Sequence, residues 1–195
     1  MHIIMRRFPG AAPLADEGIE KVKATLIPML QKQQGWKGYV GFPTEQGDIF
    51  ACSMYSDAAS AQQTTEKSIA WAQENMSKLP TPDMFTGEAG AYMPVQQGGQ
   101  PLYCIVRRAE NAPLPSGAPF GEKSMNSVKD QPGLKGIYYM RSVDDPTKVG
   151  SMIFCETRDQ AMAVHERSMT TAKQSHHEVT IRVVASGEVQ IFAMA

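Results

Sequence analysis

The sequence predicts an α+β fold built twice: two successive β-α-β-β-α-β repeats, each with an antiparallel sheet and its helices on one face. Three observations carry this. The first is an internal repeat: TEKSIAWAQENMSKLPTPDMFTGEAGAYM, Thr65 to Met93, returns about a hundred residues later as HERSMTTAKQSHHEVTIRVVASGEVQIFAM. Within it, Glu66-Lys67-Ser68 aligns with Glu166-Arg167-Ser168, and Thr86-Gly87-Glu88-Ala89 with Ser186-Gly187-Glu188-Val189. Further upstream, Met5 to Phe8 (MRRF) matches Val106 to Ala109 (VRRA), and Gly35 to Tyr39 (GWKGY) matches Gly133 to Ile137 (GLKGI). The second observation is that strand-like and helix-like patterns follow one another in the same order in both halves. The third is that the strands are apolar on both faces: Ile4 points one way and Ile3 and Met5 the other, as do Ile105 against Cys104 and Val106. Helices cover one face of such a sheet, so the second face calls for another apolar layer, and the other repeat is the natural one.

The elements follow in order. His2 to Phe8 is an apolar run ended by Pro9-Gly10, a strand and its breaker. Ile19, Val22, Leu26, Met29 and Leu30 recur at helical spacing, and Pro28 inside that pattern predicts a kink or break. Gly35 and Gly38 close the helix and open a strand through Phe42, and Ile49 to Tyr55 form its antiparallel partner. Ser56 and Asp57 are N-cap residues for a helix with a buried stripe of Ala58, Ala61, Thr65, Ile69, Ala72 and Met76, and Phe85 to Met93 supply the last strand. This is the ferredoxin-like order. Residues 1–94 form the first repeat, 95–101 a linker and 102–195 the second repeat. In the second, Tyr103 to Arg108 are a strand, Ala118 to Gln131 hold a shorter helix, and Ile137 to Val143 with Val149 to Glu156 form a hairpin. Thr157 and Gln160 have capping-box spacing for a helix reaching about Gln174, and the tail has room for two strands.

Composition narrows the function classes. With 19 basic and 20 acidic residues among 195 and no run of either sign, nothing points to nucleic acid or an anionic membrane as partner. Cys52, Cys104 and Cys155 lie in apolar runs and read as buried free thiols of a reducing compartment. The N-terminus lacks the apolar core of a signal peptide and no window reaches membrane-spanning length, so a soluble cytoplasmic protein is expected.

The run GWKGYVGF…DIFACSMYSDAASAQQTTEKSIAWAQENM…GEAGAY resembles the antibiotic-biosynthesis-monooxygenase-like (ABM) domains of the dimeric α/β-barrel superfamily. The matching positions are Gly35 and Gly38 at the strand entry, Ser56 and Asp57 at the helix start, and Trp71 with Glu74 and Asn75 at the helix end. The resemblance covers nearly all of the first half and is looser over the second. It implies that the two repeats pack sheet to sheet as an intramolecular dimeric-α/β-barrel-like unit, doing within one chain what a homodimer does with two. Members include cofactor-free oxygenases of polycyclic phenols, haem-degrading enzymes and proteins with no assigned activity.

The duplication also filters candidates for chemistry. Residues matched between halves, the paired arginines among them, are most simply explained by the shared fold. Chemically capable residues confined to one half are better candidates: Trp36 faces Leu134, Tyr39 faces Ile137, Trp71 faces Thr171, and His165 faces Thr65. His165 is a candidate general base or axial haem ligand, against the plainer reading of a satisfied histidine at the edge of a helix face. Trp36, Tyr39 and Trp71, joined by Asn75 from the resemblance, are candidates for lining a ligand pocket between helices and sheet. No metal site is expected: HERSM has Met169 where a zinc-protease motif needs histidine, and His176 and His177 are adjacent, pointing to opposite faces. The 13 methionines read as core filler. The functional expectation is a cofactor-free monooxygenase acting on a small apolar, aromatic or phenolic molecule, as a monomer or a homodimer of the tandem unit. The alternatives are a non-catalytic small-molecule-binding or assembly module, and a haem-binding or haem-degrading protein.

Overall fold

The computed structural model describes residues 1–96, 98–114, 119–175 and 179–195. His176, His177 and Ala118, the expected start of the short helix, lie outside the described residues. The chain forms two compact units, Met1–Thr86 with Val189–Ala195, and Gly87–Glu188. Each is α+β with an antiparallel sheet, as the alternating and helical patterns predict.

Unit 1 holds β1 (His2–Phe8), α1 (Ala15–Lys21), α2 (Ile27–Gln31), β2 (Trp36–Pro43), β3 (Ile49–Tyr55), α3 (Ala58–Asn75) and the start of β4 (Asp83–Met93). Its strand order is β4-β1-β3-β2, the ferredoxin-like arrangement, extended beyond β2 by the C-terminal strand β9 (Ile191–Met194). Unit 2 holds β5 (Tyr103–Glu110), α4 (Glu122–Val128), β6 (Leu134–Ser142), β7 (Val149–Cys155), α5 (Arg158–Ser175) and β8 (Thr180–Glu188). The same order recurs there as β8-β5-β7-β6, and β6 is extended by the later residues of β4, with Gly87 opposite Ser142 and Met93 opposite Ile137. The later residues of β4, from the first repeat, thus pair within unit 2, and the separate strand β9, from the second repeat, pairs within unit 1.

The repeated Gly-x-Lys-Gly turn accounts for much of this. Gly35 and Gly133 sit at φ 76° and 77°, the left-handed region that glycine enters without a Cβ penalty. A Cβ on Gly35 would lie 2.3 Å from Ser60 Oγ, and one on Gly133 would lie 2.1 Å from Gln160 Cδ. The second glycine serves the arriving strand. At Gly38 a Cβ would meet Met194 Sδ at 2.2 Å, and at Gly136 it would meet the Val95 backbone at 2.7 Å. The strand irregularities at Trp36/Gly38 and Leu134/Gly136 fall at the same places.

Both sheet faces are buried. On the helix side Ile4, Trp36, Tyr39 and Tyr55 join Val22, Leu26 and Leu30 in one apolar cluster. On the other side Ile3, Met5, Val40, Phe42, Phe50, Cys52 and Met54 are each no more than 1% exposed. The three cysteines are free and buried. Among the described residues no helix is long and apolar enough to cross a membrane.

The helices begin where the caps predict. Asp57 accepts from Ser60 N at 2.8 Å, and Thr157 and Gln160 exchange backbone-to-side-chain bonds at 3.1 and 3.3 Å. At Pro28, where a kink or break is expected, a π turn, Val22–Leu26, precedes α2 and places the proline in the first turn of a new segment. The missing proline N–H and the ring's clash with the preceding turn explain the wider spacing. The expected stripe of α3 needs correction. Ala61 and Thr64 are buried, while Ala58 is exposed and Ile69 is 49% exposed. Thr64 and Ser68 can face inward because their hydroxyls bond back to the carbonyls of Ser60 and Thr64, at 2.8 and 2.9 Å.

Candidate functional site

Each unit contains a cavity between its helices and the helix-facing side of its sheet. The unit 1 cavity is about 570 Å³, within the range of small-molecule sites. Its floor is set by strand register. In β1, β3 and β2 the residues directly across from one another are Ile4, Ser53 and Tyr39 in one row, and Arg6, Ala51 and Gly41 in the next. Ala51 and Gly41 leave the space beside Arg6 open, and the Tyr39 ring leans toward it, its Cε1 3.2 Å from where a Gly41 Cβ would stand. The α1 helix and its π turn supply Ile19, Val22 and Leu26, and α3 supplies Ser68 and Trp71. Ile69 and Met84, 49% and 47% exposed, make an apolar rim.

Arg6 is the one charged residue among the described residues lining this cavity. It is 9% exposed, its Nη1 donates to Ser53 Oγ at 3.2 Å, and its Nη2 is buried without a hydrogen-bond partner. No described carboxylate pairs with it; the neighbouring Arg7, on the opposite face, takes Asp48 at 3.4 Å and Asp83 at 3.3 Å. A guanidinium stays protonated even when buried, so this cavity holds a fixed, uncompensated cation in apolar surroundings. Burial pushes the Tyr39 phenol up to about 12, against the opposing pull of Arg6, so Tyr39 is a neutral donor near pH 7.

The sequence candidates separate. Tyr39 and Trp71 line the cavity. Trp71 is held from outside, its Nε1 donating to Thr25 Oγ1 at 2.9 Å, and Asn75 Nδ2 donates to the Trp71 carbonyl at 2.9 Å. Asn75 thus supports the helix end rather than the cavity wall. Trp36 is 6% exposed within the apolar cluster and is not part of the cavity lining. His165, on α5 of unit 2, lines neither cavity. Its Nδ1 is buried without a partner, and burial, aided by Arg107, pulls its pKa down to about 4.

That shift has a stability consequence. The folded protein keeps the His165 ring neutral down to about pH 4, while the unfolded chain takes up a proton near the ordinary histidine value. The stabilisation is complete above pH ~6.5 and is lost as the pH falls toward 4. Urea unfolding at pH 7 and pH 4.5 is expected to show wild type losing about 1–2 kcal/mol more than His165→Gln, a figure reduced for the part of the ring that water reaches. Equal losses in the two proteins would show that His165 titrates normally.

Arg6 and Arg107, matched between halves and therefore assigned to the fold by the duplication filter, are the residues that filter missed. The available signal was a basic residue at a core-facing position of an apolar strand, on the same face as Ile4 and Phe8.

No family model matches the chain, and no curated protein matches it either. Solved structures do. A protein from Lactobacillus acidophilus NCFM described as a "putative monooxygenase" superposes with a TM-score of 0.73 at 10% identity, over 99% of this chain and 95% of its own. An anthrone oxidase-like protein matches with a TM-score of 0.54 at 10% identity, over 96% and 92%. Chlorite dismutase from Candidatus Nitrospira defluvii, in complex with imidazole, matches with 0.58 at 11% identity, over 96% and 90%. At such identities the likeness is one of fold.

Haem, which the resemblance allows, needs an axial donor, and among the described residues neither cavity has a histidine or cysteine in its lining. Nor do the described residues contain a group of three or more His, Cys, Asp or Glu suited to a metal. The candidate axial donors among the described lining residues are Tyr39, Met76 and Met84 in unit 1 and Tyr139 in unit 2, and burial keeps the Tyr39 phenol neutral.

Proposed function

We propose that this chain, which has the ABM-like fold of the dimeric α/β-barrel superfamily, uses the unit 1 cavity to bind a small aromatic molecule as its oxyanion, and that the chemistry open to the bound phenolate is cofactor-free monooxygenation. One observation carries the reading: among the described residues, buried Arg6 lacks a carboxylate partner and is the sole charge lining an apolar cavity. An aryl oxyanion supplies the missing counter-charge and fills the apolar space in one step.

In such a reaction the substrate provides the electrons. Arg6 favours the ionised phenol, Tyr39 donates a hydrogen bond, and Trp71 with Ile19 and Leu26 keeps water from the ring. The electron-rich anion reduces O2, and an activated ring methylene becomes a carbonyl as one oxygen atom enters the product and the other leaves as water. Among the described residues the lining contains no carboxylate or histidine to act as base, which restricts substrates to phenols acidic enough to ionise beside a guanidinium. His165 is given no part in this reading. The anthrone oxidase-like neighbour supports an aromatic substrate. The same lack of a base favours a second reading, a binding module without turnover.

Both tryptophans lie in unit 1, so intrinsic fluorescence reports on this cavity. Titration with 2-naphthoate is expected to quench Trp71 at a Kd at least tenfold lower than that of uncharged 2-naphthamide, and equal affinities for the two would overturn the anion site. Oxygen uptake with a panel of acidic polycyclic phenols then separates turnover from binding alone.

A further inference from the structure

The second cavity, in unit 2, is about 560 Å³ and differs in charge from the first. At its floor the register places Arg107, Ser151 and Tyr139 in one row across β5, β7 and β6. Arg107 is 3% exposed; its Nε donates to Ser151 Oγ at 2.9 Å and its Nη1 to Ser168 Oγ at 2.7 Å. Its guanidinium carbon lies 6.0 Å from the centroid of the Tyr139 ring. No described carboxylate pairs with it.

The serine is informative. Ser151 aligns in sequence with Ala51, and Ser53, which serves Arg6, aligns with Ile153. Each half has placed a hydroxyl beside its buried arginine from a different position on the same strand. A neutral hydroxyl orients a guanidinium without cancelling its charge, which leaves the cation available to a ligand.

Among the described residues lining the cavity, Arg108, Arg141 and Lys123 accompany Arg107, against the single acid Glu122. Arg141 is engaged with the Pro146 and Pro113 carbonyls and lies 4.7 Å from the Phe120 ring centroid, and Arg108 has partners of its own. They contribute field; Arg107 at the floor and exposed Lys123 at the rim contribute reach. Between them the walls are apolar, from Ala109, Val149 and Ile181.

We propose that the unit 2 cavity is a second ligand site, separate from the first, that takes an aromatic dianion, an aryl dicarboxylate, with one carboxylate on Arg107 and the other toward Lys123. It does not depend on the reading of unit 1. The probe is naphthalene-2,6-dicarboxylate, titrated into the full chain by calorimetry with tryptophan fluorescence followed in parallel. The site is silent in fluorescence, because unit 2 contains no tryptophan.

The expected result is a calorimetric isotherm without matching quenching. It should weaken at least tenfold in Arg107→Met and about threefold in Lys123→Gln, and be unchanged in Arg6→Met. The exposed Lys123→Gln change keeps the test valid if Arg107→Met fails to fold. The proposal is overturned if the dicarboxylate gives no heat up to millimolar concentration, if its isotherm is lost in Arg6→Met, or if Lys123→Gln and Arg107→Met both leave it unchanged. Failure of 2-naphthoate to quench Trp71 bears only on unit 1.

Discussion

Arg6→Met is expected to weaken 2-naphthoate binding by at least tenfold while leaving the protein as stable as wild type or more so. The two readouts move apart for a physical reason. A hydrogen bond to a charged group contributes about 1.5–3 kcal/mol, which converts to roughly 10- to 150-fold in affinity. Stability responds differently, since a lone buried cation is a cost to the folded state. Methionine has similar reach, fits the apolar walls and removes that cost; even buried ion pairs, whose charges compensate one another, are often replaced by apolar residues neutrally or with a gain of about 1–4 kcal/mol. If Arg6 were retained for packing and for its bond to Ser53, the opposite pattern would hold: a less stable protein with unchanged quenching of Trp71. Urea unfolding and fluorescence titration on one preparation distinguish the two.

Gly35→Ala is expected to cost about 2–4 kcal/mol, against roughly 1–2 for Gly47→Ala. Both glycines have positive φ, 76° and 87°, so both substitutions carry the left-handed penalty. They differ in surroundings. A Cβ at Gly47 meets nothing within 4 Å, whereas one at Gly35 lies 2.3 Å from Ser60 Oγ and 2.5 Å from Ser56 Oγ. Those serines belong to the start of α3, where Asp57 caps the helix and Ser56 N donates to the Gly35 carbonyl at 2.7 Å. Crowding there loosens the cap of the helix that carries Ser68 and Trp71 to the cavity. Equal losses from the two variants, measured by urea unfolding, would show that the turn absorbs the extra carbon.

The fold was legible wherever the signal was local. Strand β1 stands where the apolar run before Pro9-Gly10 put it and β3 where the run Ile49 to Tyr55 did, and the caps at Asp57 and Thr157 start α3 and α5. The stripe of α3 was misread because apolarity was taken as the mark of an inward face. That helix lies over a cavity, where Thr64 and Ser68 can turn inward and Ile69 can sit at the rim. Of the candidate pocket residues, Tyr39 and Trp71 line the cavity, while Trp36 is packed in the apolar cluster and Asn75 bonds the Trp71 carbonyl.

By itself the sequence determined the duplication, the order of strands and helices, and the glycines of the repeated turn, because each is set by neighbours a few residues apart or by direct comparison of the two halves. Only the tertiary structure decided that β9 joins unit 1 and the later residues of β4 join unit 2, and that Arg6 and Arg107 lie on cavity floors with no counter-ion among the described residues. Both depend on which residues face one another across strands far apart in the chain. A cavity is made by side chains that are small, such as Gly41 and Ala51, and a missing carboxylate partner becomes visible only once every neighbour of the arginine is in place.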